Sequence, residues 1–164
     1  MAGRRIWADT PRQDADVSDH HRDIEALICE YADRIDAGDF AGIGALFARG
    51  QIVASSINRV FRGEDEVRGM YEMATRRYED GTPHTQHLMS NVRIQLDADG
   101  RGASADLRFT VFQALPDFPL QAIIAGRYED RFARDEQGWY FTERKMKPEL
   151  MGDLSRHLLI SLPR

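Results

Sequence analysis

The spacing of apolar residues changes character midway along this chain, from roughly every 3.6 residues to every second residue. Before residue 80 the helical spacing dominates. Ile24, Leu27, Ile28, Tyr31 and Ile35 mark one face of a half-buried helix, with Ser18 or Asp19 as its cap and Gly38 as its stop. Asp39 caps a short second helix, Phe40 to Phe47, that buries Ile43, Leu46 and Phe47. Gln51 to Phe61 has strand character, with a bend at the polar Ser55-Ser56-Ile57-Asn58 stretch. After Gly63, the acids Glu64, Asp65 and Glu66 sit at the positive end of a third helix. It runs to about Tyr78 and presents Val67, Met70, Tyr71 and Ala74.

From His84 onward the period is two. His84 to Leu96, Ala103 to Leu115, Leu120 to Arg134 and Trp139 to Met146 are predicted strands. Turn residues separate them at Asp97-Ala98-Asp99-Gly100, Pro116-Asp117-Phe118-Pro119 and Asp135-Glu136-Gln137-Gly138. Helices followed by an antiparallel meander define an α+β layer fold. The polar residues 1–17 form an arm docking through Ile6 and Trp7, residues 18–147 the domain, and residues 148–164 an extension with a helical turn through Leu154 and Leu158. A chain of 164 residues is long enough for one real core or an enclosed cavity.

Composition narrows the function. With 22 Lys+Arg against 27 Asp+Glu and no basic tract, the chain lacks the clustered cations that nucleic-acid binding requires. One cysteine, Cys29, excludes an internal disulfide and a Cys-rich zinc site. No apolar run approaches the roughly 20 residues of a membrane span or the core of a signal peptide, so a cytoplasmic protein without membrane contact is expected.

Several residues carry possible chemistry. Asp36 falls at the margin of the first helix's apolar stripe, in a last turn where the helix dipole disfavours an acid. The bland account is a solvated helix-end acid; the sharper one is a carboxylate that orients an imidazole. Tyr31 suits the core, although its hydroxyl needs a partner if buried. His84-x-x-His87 is half of a metal site with no third ligand in view, so no metal is expected. His87 shares a strand face with Met89 and Asn91. Asp106, Arg108 and Thr110 face one way on their strand and Leu107, Phe109 and Val111 the other. Alternation does not say whether the polar face, or Arg144 on the last strand, meets water or a pocket.

Four segments in order resemble one family. Glu30 to Phe40 with Leu46-Phe47-Ala48, Phe61 to Val67, Gln86 to Val92, and Gly126 to Phe132 with Gly138-Trp139 resemble the SnoaL-like branch of the nuclear-transport-factor-2-like superfamily, over about residues 20–147. The resemblance implies a strongly curved antiparallel sheet wrapped around three N-terminal helices, forming a conical apolar pocket. Dehydratase members of the family place a base histidine four residues before the strand's Asn, matched by His87 before Asn91. Their acid partner is matched by Asp36, a Tyr five residues earlier by Tyr31, and an Asp on the next strand by Asp106. A last-strand Arg is matched by Arg144, less securely because Arg127, Arg131 and Lys145 lie nearby. Scytalone dehydratase carries a second His where this chain has Asp106, which argues against that substrate.

The expectation is therefore a cofactor-independent lyase or isomerase acting on a small hydrophobic polyketide-, steroid- or aromatic-type substrate. His87 and Asp36 supply the base, Tyr31 and Arg144 hold an oxyanion, and Asp106 orients a leaving hydroxyl. Phe47, Met70, Met89, Asn91, Phe109 and Phe112 are candidate substrate contacts. The resemblance also implies a homodimer or homotrimer. Non-catalytic binding of a small ligand and a scaffold role as the β subunit of a ring-hydroxylating dioxygenase are the alternatives, with epoxide hydrolysis further behind.

Overall fold

The computed structural model describes residues 12–161. The first helix, α1 (Arg12–Asp36), contains both expected cap residues, Ser18 and Asp19, and so starts earlier than the apolar pattern does. No Gly or Pro lies between its ends to stop it. The expected docking of Ile6 and Trp7 lies outside the described residues. Gly38, at φ 71°, ends the helix in a left-handed turn, and a Cβ there would lie 2.1 Å from the Gly81 carbonyl oxygen. Asp39 then caps α2 (Phe40–Leu46) by accepting the Gly42 N–H at 2.8 Å.

The polar bend separates β1 (Gln51–Ala54) from β2 (Arg59–Arg62) as a 3₁₀ turn over Ser55–Ile57, closed by Asn58 at φ 50°. The third helix, α3 (Gly63–Ala74), stops short of the expected Tyr78. Thr75 is already extended because it bridges Leu158 of the C-terminal segment, a tertiary contact that overrides local propensity. Four long strands follow: β3 (Thr85–Leu96), β4 (Gly102–Leu115), β5 (Phe118–Asp135) and β6 (Gly138–Met151).

The sheet order is β2-β1-β6-β5-β4-β3, curved but not closed. The expected all-antiparallel sheet needs one correction: β1 runs parallel to β6. Strand β6 also continues past Met146, through Pro148. Proline fits there because the β5–β6 register shifts between Ala125 and Gly126, which relieves the ladder of its missing N–H. One core joins the layers. Ile24, Ile28, Tyr31 and Ile35 of α1 meet Leu107, Phe109 and Val111 of β4, with Phe132 and Phe141 beyond.

A bulge in β3 sets up the site. Ser90 opposes Arg108 but Arg93 opposes Asp106, so β3 carries one extra residue, with Asn91 at φ 53°. The inward set changes from Thr85, His87 and Met89 before the bulge to Val92, Ile94 and Leu96 after it. His87 therefore points inward although Leu88 and Asn91 are exposed.

Candidate functional site

Asp36 and His87 meet where the end of α1 abuts the start of β3. The Nδ1 of His87 lies 2.6 Å from Asp36 Oδ1, and its backbone N–H donates to Oδ2 at 2.7 Å. Thr85 Oγ1 also donates to Oδ1, at 2.7 Å. The imidazole is 3% exposed and the carboxylate 21%. Burial by itself would push the Asp36 carboxyl up, but the hydrogen bonds and charge of His87, with Thr85 added, hold it below the ordinary carboxylate value. An ionised carboxylate only accepts, so Nδ1 carries the hydrogen and Nε2 is left as the nitrogen available to a ligand.

His87 lines a cavity of about 140 Å³. Its walls are mostly apolar: Ile35, Met70, Phe109, Val111, Ile124 and Met146 contribute, and Leu154, Leu158 and Ile160 close it from the C-terminal segment. An apolar protein cavity of about 150 Å³ accommodates benzene, so this one has room for a single ring.

Three tyrosines, Tyr31, Tyr71 and Tyr128, line the same cavity. Tyr31 and Tyr71 share a hydrogen bond between hydroxyls 2.5 Å apart, and Tyr71 also reaches Met146 Sδ at 3.9 Å. Burial, reinforced by the neighbouring tyrosines, raises Tyr71 and Tyr128 well above the usual phenol value, so both remain protonated donors at neutral pH.

Arg144 departs from its expected role. It stands opposite Asp130 in the β5–β6 register and forms a bidentate pair with it, Nε at 2.8 Å and Nη2 at 2.5 Å. Both side chains are fully buried. Its guanidinium carbon lies 4.1 Å from the Tyr31 ring centroid and 4.3 Å from that of Tyr128. Burial would weaken its hold on the proton, but Asp130 more than offsets this and raises its pKa. Arg144 thus packs against the tyrosine rings and pairs with the carboxylate directly across the strand, and it does not itself line the cavity.

Other expected site residues are not brought together with His87. Asp106 is exposed on the outer face of β4, since Leu107 and Phe109 take the inner face, and it cannot orient a leaving group in the cavity. Phe112 shares that outer face. Asn91 is exposed at the bulge it creates. Phe47 is fully buried against Phe141, their ring centroids 4.8 Å apart, and Met89 packs against the core; neither lines the cavity. Met70 and Phe109 do line it. His84, at φ 53°, turns away towards Asp80 and Tyr78 and shares no site with His87. Among the described residues no three His, Cys, Asp or Glu side chains gather as metal ligands.

Four residues escaped the sequence reading: Thr85, Tyr71, Tyr128 and His157. Tyr71 belongs to the apolar face of α3, and only its hydroxyl's need for a buried partner hints at more. His157, in the segment that closes the cavity, carries no sequence signal at all.

Comparison with known proteins supports the fold. The family model described as a SnoaL-like domain matches residues 16–145. A nuclear-transport-factor-2-like protein with a cystatin-like fold from Novosphingobium aromaticivorans superposes with a TM-score of 0.68 at 16% identity, covering 85% of this chain and 89% of that one. A protein provisionally named a scytalone dehydratase from the same organism gives 0.67 at 19% identity, covering 86% and 91%. Another, provisionally named an aromatic ring hydroxylase, gives 0.64 at 19%, covering 85% and 96%. No curated protein matches the sequence. No helix among the described residues is long and apolar enough to cross a membrane.

Proposed function

We propose that this chain, which belongs to the SnoaL-like domain family, is a cofactor-independent lyase or isomerase of the dehydratase type, acting on a small ring-containing ketone. The observation that carries the reading is the buried His87–Asp36 pair, 2.6 Å apart, on the wall of an apolar cavity. A base and the acid that orients it, together at an apolar wall, form the working unit of proton abstraction.

In the proposed mechanism Nε2 of His87 removes a proton from the carbon beside the carbonyl, and Asp36 stabilises the imidazolium formed. The electron pair moves onto the carbonyl oxygen, where Tyr71, accepting from the Tyr31 hydroxyl, turns its own proton from Met146 Sδ to donate to the oxyanion. Collapse of the enolate either expels a β-hydroxyl, which leaves as water with the imidazolium proton, or returns that proton to a different carbon. The cavity volume favours an aromatic-type or single-ring substrate over a steroid.

The test is formation of conjugated enone from single-ring β-hydroxyketones, followed by ultraviolet absorbance. Wild type should turn over at least one such ketone, and His87→Ala should lose about 10²–10⁴-fold in kcat. Turnover unchanged in that variant would sink the mechanism.

The likeness to the protein named as a ring hydroxylase supports a second reading, a scaffold subunit of a larger oxygenase. Copurification of a stable larger partner, with no enone formed, would favour it. In either role we expect a homo-oligomer. Leu88, Thr110, Ala125 and Leu150 are in register across β3 to β6 on the outer face, with Leu88 and Leu150 strongly exposed, which suits contact with a second copy.

A further inference from the structure

A second imidazole reaches the cavity from the far end of the chain. After β6 the backbone turns at Gly152, whose N–H donates to the Ile123 carbonyl at 2.8 Å, and returns across the end of α3. There the His157 carbonyl accepts the Arg76 N–H at 2.8 Å and the Leu159 N–H donates to the Ala74 carbonyl at 2.9 Å. The Arg156 carbonyl is held by Tyr78 Oη at 2.6 Å and Gln113 Nε2 at 3.2 Å. Fixed on both sides, residue 157 has its side chain committed to the cavity wall, where it is 6% exposed.

Its Nδ1 is buried and has no hydrogen-bond partner among the described residues. A buried ring nitrogen left unpaired is destabilising, and an apolar side chain of similar size would seal the wall without that cost. The neighbours in the segment, Leu154, Leu158 and Ile160, are such side chains.

We propose that His157 is a specificity-determining ligand contact: its ring hydrogen-bonds a hydroxyl or keto oxygen on a single-ring ligand that also meets His87 in the cavity. Burial, aided by the charge of His87 and opposed by Asp36, pushes the His157 imidazole down to about 4. At neutral pH it is therefore uncharged, with one nitrogen donating and one accepting, which suits a hydroxyl in either sense. The inference rests on the cavity being the ligand site, as in the proposed function, but requires no turnover.

Phenol and toluene differ by a hydroxyl in place of a methyl at nearly equal size, and both fit a one-ring cavity. Their affinities for the full chain, measured by titration calorimetry on wild type, His157→Leu and His157→Gln, decide the matter. The phenol-to-toluene affinity ratio should fall about 10-fold in His157→Leu, as expected for one buried hydrogen bond. It should be retained in His157→Gln, whose amide reaches the place of Nε2, the ring nitrogen that is not sealed in the wall. If His157→Leu does not fold, the ¹⁵N resonances of the wild-type His157 ring take its place, and phenol but not toluene should shift them. An unchanged ratio, unmoved ring resonances, or a wild type that binds neither ring would overturn the proposal. His87→Ala separates the two readings: it should abolish enone formation, while adding His157→Leu in its background should still lower the ratio about 10-fold. A ratio shift in a protein without turnover therefore removes the lyase reading and leaves this one.

Discussion

Asp36 accepts three hydrogen bonds, from Thr85, the His87 backbone and the His87 ring. Asp36→Asn sets an amide N–H against one of these donors and removes the charge that stabilises the imidazolium. Activity should fall by up to about 10⁴-fold, the scale seen when an imidazole is held in the wrong tautomer. Because the folded carboxyl lies below its ordinary value of 3.8, its contribution to stability is complete above that value and is lost as pH falls through the lower, folded value. Urea unfolding against pH should accordingly show a flatter acid limb in Asp36→Asn than in wild type. This pair was partly legible: the helical wheel placed Asp36 at the edge of the apolar face, and the family motif supplied its partner. Asp106 was not, since alternation separates two faces of a strand without saying which one meets water. The bulge at Asn91 leaves only a change of phase in the alternation, from Met89 to Val92, across the polar Ser90-Asn91 step.

Elements set the remaining geometry. The cross-strand register of β5 and β6 puts Arg144 on Asp130, so Arg144→Met leaves a buried carboxylate unpaired. It should cost about 3–5 kcal/mol of stability in denaturant titration, whereas a ligand-binding arginine could be lost with the fold intact. The segment after β6 makes a second prediction. His157 has a folded pKa of about 4 against 6.5 when unfolded, with His87 and Asp36 the charges acting on it. Between those values the unfolded chain binds the extra proton, so stability should fall as pH drops from 6.5 towards 4, by about 3 kcal/mol at most. His157→Asn should remove that slope; an identical slope in the variant would show that another group titrates. In the sequence the domain ends at residue 147, where the family resemblance stops, although Leu154, Leu158 and Ile160 follow. Their spacing cannot reveal that they complete a cavity lined mainly by residues far earlier in the chain.

At the scale of the molecule, the change from helical to alternating period announced the layered fold, and family resemblance added its curvature. The cavity itself was beyond reach, since its volume depends on how α1, α3, the sheet and the C-terminal segment pack together. Oligomerisation belongs to this scale as well: light scattering should return a dimer or trimer for wild type, and Leu88→Asp with Leu150→Asp should shift it to monomer. A monomeric wild type would remove the proposed contact across the sheet's outer face. The central claim is that the nitrogen of His87 facing the cavity takes a proton from carbon. Deuterium incorporation from D₂O beside the carbonyl of cyclohexanone and related single-ring ketones, followed by NMR, isolates that step from any leaving group. Wild type should exchange well above buffer, with Asp36→Asn strongly reduced and His87→Ala at background; equal exchange in all three proteins, or none in any, would contradict the account.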